Sequence, residues 1–261
     1  MARNDQTGEL PSTRTDEWQD VEAALLRAGR MATSAAQGVA SLPQQGPAPA
    51  PPGTRPPAPP VTPQARIRAL LATHFRLPNP GAFELLNIAE RYRRLQVRLS
   101  NMTRESFRMV TAAVAESVAQ GGHGDVFGYV NRDVPRDQQR IFLNEVYFSM
   151  GSGTSAPASS SAGAVIGRAR GGHVAVGGAG SHVQHSLQVR ASVILHEAAH
   201  LVLGGDGAVH RAINAGTRIT VPPDDCSRGY LQIVTMRQAT GDAYVWEKFA
   251  LCADLVMHPT P

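Results

Sequence analysis

The sequence predicts an α+β fold, on three observations: amphipathic helical segments in its first half, short β-branched stretches in the middle, and a long apolar helix late in the chain. The 261 residues suffice for one domain of ordinary size with appendages. Aromatic residues make up only 5% of the chain, so the core is expected to be mostly Leu, Val, Ile and Ala.

Residues 1–41 are polar and Ala-rich, with one stretch, DEWQDVEAALLRAGRM (16–31), suited to an amphipathic helix. Residues 42–63 are dense in proline, which lacks an amide donor and resists helix and sheet. They read as an extended or disordered linker, either a spacer or a contact for a partner or delivery machine. The folded domain is expected over residues 64–261.

Three helical segments follow. PQARIRALLATHF (63–75) carries Ile67, Leu70, Leu71 and Phe75 at one-face spacing. AFELLNIAERYRRLQVRLS (82–100) repeats the pattern after an Asn-Pro-Gly turn. TRESFRMVTAAVAESVAQ (103–120) opens on Thr103 and Ser106 and closes at Gly121-Gly122, where glycine ends helices cheaply. Next, DVFGYV (125–130) and IFLNEVYF (141–148) are rich in β-branched and aromatic residues and flank a polar turn, which predicts an antiparallel pair. Residues 151–185 are rich in Gly, Ser and Ala, with an apolar island, GGHVAVGG, placed as an edge strand. Gly151-Ser-Gly153 mimics the start of a dinucleotide-binding turn. Pro157 and a serine run stand where that motif needs a helix, which excludes it.

The informative segment is LQVRASVILHEAAHLVLGGDGAVH (187–210). Residues 187–203 suit a helix that ends at Gly204-Gly205. His196 and His200, four apart, lie about 40° from each other around such a helix and about 6 Å apart along it. Both imidazoles can therefore reach one Zn²⁺ at about 2.0–2.1 Å. Glu197 sits about 100° around, beside the metal, where a carboxylate can take a proton from water without ligating. Val193, Ile194, Leu195, Ala198, Ala199, Leu201 and Leu203 mark the helix as buried, and an interior is a costly place for such groups without a purpose. A catalytic zinc site usually has a third protein ligand and one open position. Asp206, past the double glycine, is the first choice, with Asp242, Asp224, Asp225 and His210 also open. His182 and His185, ahead of the helix, read as solvated. Cys226 and Cys252 read first as buried or free thiols. The sharper alternative is one bridge from the loop after the site to the last helix.

In its second half the sequence resembles the deuterolysin and lysine-specific metallo-endopeptidase group, the aspzincins. IFLNEVYFSM (141–150) is similar to that group's strand ahead of the metal helix, and SVILHEAAHLVL (192–203) to the metal helix itself. GGDGAVH (204–210) stands where the group carries its Gly-Thr-x-Asp motif, and TGDAYVWEKFAL (240–251) resembles its later Asn-Ala-Asp-Ser-Tyr helix start. The resemblance implies a zincin-like fold, with a helical layer, a small antiparallel sheet and the active-site helix below a cleft. It implies His196, His200 and Asp206 as zinc ligands and Glu197 as general base. It also implies outer-shell or substrate-facing roles for Asp242 and Tyr244. For Asp242 that is a hydrogen bond to a ligand histidine, and for Tyr244 donation to the oxyanion of peptide hydrolysis. Gly205 directly precedes Asp206, where the group has other residues. Val209 replaces the group's tyrosine, leaving His210 or Tyr244 to stand in for that phenol.

The expected activity is thus zinc-dependent endopeptidase action on a protein or peptide substrate. The competing reading is a zinc-binding structural or regulatory module without turnover. Net charge is +4 with scattered arginines, so no nucleic-acid partner is expected. No stretch approaches the roughly 18 apolar residues of a membrane span, and no membrane partner is expected. The first twenty residues lack the apolar core of a secretory leader. The expected location is cytoplasmic, or outside the cell by a specialised route that suits an exported effector.

Overall fold

The computed structural model describes residues 15–43, 62–110, 128–131, 134–144, 147–148, 182–203, 207–214 and 225–259. Their elements are α1 (Thr15–Ala40), α2 (Pro63–Phe75), α3 (Ala82–Ser100), β1 (Phe107–Val110), β2 (Gly128–Val130), β3 (Ile141–Asn144), α4 (His182–Leu203), α5 (Ala208–Asn214), α6 (Met236–Thr240) and α7 (Ala243–Met257). The described chain is mostly helical with one small mixed sheet, as an α+β class requires.

Local chemistry sets most helix ends. Pro63 occupies the first turn of α2, and the Thr62 hydroxyl accepts the Ala65 amide at 3.2 Å. The helix stops at Arg76, whose φ of 57° is left-handed. A non-glycine residue is held in that conformation by its own guanidinium, which donates to the Ile233 carbonyl at 2.7 Å and the Tyr230 carbonyl at 3.3 Å. At the start of α3 the Glu84 carboxylate reaches back to the Gly81 amide at 2.6 Å. Asp242 caps α7 by accepting the Tyr244 amide at 3.1 Å.

The sheet has the order β1-β3-β2. β2 and β3 are antiparallel, with Gly128 opposite Leu143 and Val130 opposite Ile141, as their composition predicts. β1 was expected to be helical and is a strand parallel to β3, with Phe107 opposite Ile141 and Val110 opposite Asn144. The Thr103–Ser106 capping pattern does form, but it starts a single 3₁₀ turn, Arg104–Ser106. After that turn Phe-Arg-Met-Val finds an open edge of β3, and tertiary pairing outweighs helix propensity. Residues 111–120 of the expected helix, the Gly/Ser-rich stretch 149–181 with its edge strand, and most of the Pro-rich segment lie outside the described residues.

One hydrophobic core packs against α7 from two sides. On one side Phe75, Tyr92, Trp246 and Phe249 cluster, with ring centroids 4.6–5.7 Å apart, and the Tyr92 hydroxyl donates to the Trp246 carbonyl at 2.8 Å. This aromatic cluster sits where α2, α3 and α7 converge. On the other side lies α1, set apart from the domain by composition but built into the same core. Its buried face is Val21, Ala24, Ala28, Met31, Ala32, Ala35 and Val39, a helical spacing of small residues that permits close approach. At Gly38 a Cβ would come within 2.9 Å of Ile67 on α2.

Polar anchors fix α1 to both helices beneath it. Asp254 on α7, its side chain 1% exposed, pairs with Arg27 at 2.6 Å and Arg30 at 3.4 Å and accepts the Ser34 hydroxyl at 2.9 Å. Arg190 on α4 pairs with Asp20 at 2.7 Å and donates to the Tyr147 and Phe148 carbonyls. Removing one partner of a buried ion pair leaves the other charge uncompensated. Asp254→Ala is therefore expected to cost about 2–3 kcal/mol in urea unfolding, less than a fully buried pair because Arg30 is half exposed. An unchanged midpoint would show that α1 is held by its apolar face alone.

His74, buried between α2 and α7, is pushed down to about 3 by burial and by the nearby Lys248 and Arg76 charges. The unfolded chain binds this proton near pH 6.5 and the folded chain does not, so the contribution of His74 to stability is lost as pH falls from about 6.5 towards 3. His74→Phe is expected to flatten the stability–pH profile over that window. A profile unchanged by the substitution would assign the acid limb to other groups.

Candidate metal centre

From Arg190 to His200 every residue of α4 except Val193 is buried, packed by α1, α3, α7 and the sheet. In that interior His196 is 3% exposed, Glu197 2% and His200 7%. The four-residue spacing puts both imidazoles on one face, as the sequence predicts. A third imidazole joins them from α5, which returns to α4 after its C-terminal end. His196 Nε2 lies 3.2 Å from His210 Nε2, His200 Nε2 3.2 Å from His196 Nε2, and His200 Nε2 3.1 Å from His210 Nε2.

This closed triangle has a direct chemical consequence. Each neutral Nε2 is either a donor or an acceptor, and a hydrogen bond needs one of each. Among three mutually close nitrogens at least one edge must join two of the same kind, so the three cannot all be satisfied by one another. A cation facing three lone pairs can satisfy them. Tetrahedral zinc with nitrogen ligands at 2.0–2.1 Å places neighbouring ligands about 3.3–3.4 Å apart. The observed 3.1–3.2 Å fits that donor set closely. Imidazole also suits copper, iron and nickel, so the donor set does not by itself choose among these metals. Three protein ligands leave one coordination position for a non-protein group.

His196, His200 and His210 are thus the residues able to hold a metal ion. His210 was one of the open alternatives for the third ligand. Asp206, the first choice, and Asp224 lie outside the described residues. Asp225 instead closes a turn, accepting the Ser227 amide at 3.1 Å and hydroxyl at 2.6 Å. His182 and His185 fall in the first turns of α4.

The metal triad is aligned by α7. Glu247 Oε2 lies 3.0 Å from His196 Nδ1, which leaves Nε2 to face the other histidines and fixes the ring orientation. Sequence reading gave that role to Asp242 and overlooked Glu247. The available signal was helical: Glu247 follows Tyr244 by three residues and shares its face. Asp242, fully buried, performs a different task. Its Oδ2 accepts the Val209 amide at 2.7 Å, and its Oδ1 caps α7. One carboxylate therefore fixes both the start of α5, which carries His210, and the start of α7, which carries Glu247. Burial pushes Asp242 up to about 6, against the two amide bonds and the neighbouring His196 and Arg211, which all favour its charged form. Gly207 is needed for this arrangement, since a Cβ there would collide with the Asp242 carboxylate.

Tyr244, 2% exposed, packs its ring 4.4 Å from that of His196 and 4.5 Å from that of His210. It walls the imidazole cluster. On the opposite flank β2 passes Glu197, where a Cβ on Gly128 would stand 3.6 Å from Glu197 Cγ. Cys226 and Cys252 form a disulfide, so the bridge from the loop to the last helix replaces the free-thiol reading.

Outer-shell carboxylates typically change metal affinity by 10–100-fold. Glu247→Gln is expected to weaken zinc binding within that range in a chelator competition, while the α-helical circular dichroism is unchanged. Unaltered affinity would mean that the ring of His196 is oriented by packing against Tyr244 alone.

Comparison of the chain with models of known families, with curated proteins and with solved structures finds no match in any of the three. What this centre can do therefore follows from its own residues.

Proposed function

We propose that this protein is a zinc-dependent endopeptidase of zincin-like construction, with His196, His200 and His210 as metal ligands and Glu197 as general base. One observation carries the proposal: three Nε2 atoms 3.1–3.2 Å apart, with a buried carboxylate on the residue directly after the first of them. A metal-binding role alone does not require that carboxylate, whereas hydrolysis does.

When bound, zinc supplies Lewis acidity, acidifying water and polarising a carbonyl oxygen. The remaining work belongs to the chain. Glu197 accepts the proton of the attacking water and returns it to the departing amine. Glu247 keeps His196 in one tautomer, and Asp242 keeps His210 in reach. Tyr244 touches two of the three imidazoles, and its phenol is the group on hand for donation to the oxyanion. The substrate is a protein or peptide. Export as an effector is part of the proposal, and the Cys226–Cys252 bridge supports it because such bonds persist in oxidising compartments.

The deep burial of Glu197 and His196 also favours a second reading, a zinc-binding structural or regulatory module without turnover. Digestion of a proteome-derived peptide library separates the two. Wild-type protein is expected to cleave it, a chelator to stop cleavage, and added zinc to restore it. Glu197→Gln is expected to lose about 10²–10⁴-fold in rate with zinc retained at one per chain. Stoichiometric zinc without any cleavage would establish the second reading, and loss of zinc in Glu197→Gln would make that residue a ligand.

A further inference from the structure

Tyr244, Lys248 and Cys252 follow one another at intervals of four along α7 and therefore share one face. The segment 225–230 lies over that face. Cys226 is bonded to Cys252, the Lys248 ammonium stands 5.7 Å from the centroid of the Tyr230 ring, and that ring lies 5.9 Å from Tyr244. Tyr244 in turn touches the rings of His196 and His210. An unbroken series of contacts thus runs from the disulfide to two of the three imidazoles.

We infer that the Cys226–Cys252 disulfide is a redox latch on the metal centre, with the oxidised form holding the imidazole triangle in its metal-binding arrangement and the reduced form loosening it. The inference rests on the zinc reading above and adds its regulation. Three features support it. The overlying segment has a fastening at each end. Arg76 holds the Tyr230 and Ile233 carbonyls, and the disulfide holds Cys226. Only the disulfide can be opened chemically. Cys252 is fully buried and Cys226 partly exposed, so a reductant has one sulfur to approach. Lys248 is 1% exposed, and the neighbouring Asp225 carries the opposite charge, held near by the same bridge. Releasing Cys226 frees Asp225 with it, which changes the charge facing that ammonium.

The chemistry is thiol–disulfide exchange. A thiolate of a cellular dithiol attacks the Cys226 sulfur, the Cys226–Cys252 bond breaks, and the Cys252 sulfur leaves and takes a proton. The second thiol of the reductant then displaces Cys226, which also takes a proton, and the reductant departs as its own disulfide. Two electrons pass to the protein. The pair stays reduced in a reducing cytosol and closes in an oxidising compartment, so the centre would be completed on arrival there.

The test uses the full chain and zinc alone. Zinc affinity is measured by competition with a chromogenic chelator on oxidised protein and on protein reduced with a phosphine. Cys226→Ser/Cys252→Ser is measured alongside, so that freed thiols cannot supply ligands of their own. Reduced protein and the double variant are both expected to bind zinc about tenfold more weakly than oxidised protein, the lower end for outer-shell support. Helical circular dichroism should be retained, and reoxidation should restore affinity to the wild type. Equal affinity in all three forms overturns the latch and leaves the zinc site standing. Loss of helical signal on reduction also overturns it, making the bond a brace for the whole fold. Absence of stoichiometric zinc from the oxidised protein overturns the latch and the zinc reading together.

Discussion

Three imidazole nitrogens about 3 Å apart, in an interior nearly closed to water, form the constraint around which the second half of this chain is arranged. At least one of their contacts joins two groups of the same kind, which is costly in a medium of low polarity. A bound cation would relieve that cost. Ligation would favour the folded arrangement alone, which would link metal affinity to fold stability.

Such a cluster persists only if its rings cannot turn away, and α7 supplies the restraint. Within six residues it presents Asp242 to the Val209 amide at the start of α5, Tyr244 to the rings of His196 and His210, and Glu247 to the Nδ1 of His196. The opposite face of α7 packs against Phe75 and Tyr92 through Trp246 and Phe249. Its far end is tied to α1 through Asp254. The helix therefore couples the imidazole cluster to the rest of the core. This is how a small fold holds functional groups in place: rotamers fixed by packing, and packing fixed by elements that are rigid for other reasons.

How far this was legible in the sequence depended on how local each signal is. α2, α3 and α7 carry their boundaries in their own residues: Thr62-Pro63, the Gly81–Glu84 pair, and Asp242 with an apolar run behind it. His196, Glu197 and His200 needed only helical spacing. The failures were all tertiary. β1 begins with a helix-capping pattern and becomes a strand because β3, more than thirty residues later, offers it an edge. α1 lies before a proline-rich segment that by composition ends one unit and starts another. Its Ala-rich face identifies a close-packing surface only once α3, α4 and α7 are known to meet it. His210 competed with several carboxylates because helical spacing does not say which side chain beyond α4 comes back to it, and the approach of α5 is tertiary. Glu247 looked like one more charge on a terminal helix until His196 was seen beside it.

The integration of α1 bears on how the centre can be so dry. A helix that carries two histidines and a glutamate on a face otherwise made of Ala, Ile and Leu needs cover on every side, and the sheet supplies little: three short strands, of which β2 and β3 reach α4. α1 provides the missing wall. Its small residues let it approach closely, while Asp20 and Arg27 close its flanks on Arg190 and Asp254. α1 thus covers α4 from more than 150 positions before His196 in sequence. An N-terminal segment that composition marks as an appendage is, in physical terms, part of the interior that buries α4.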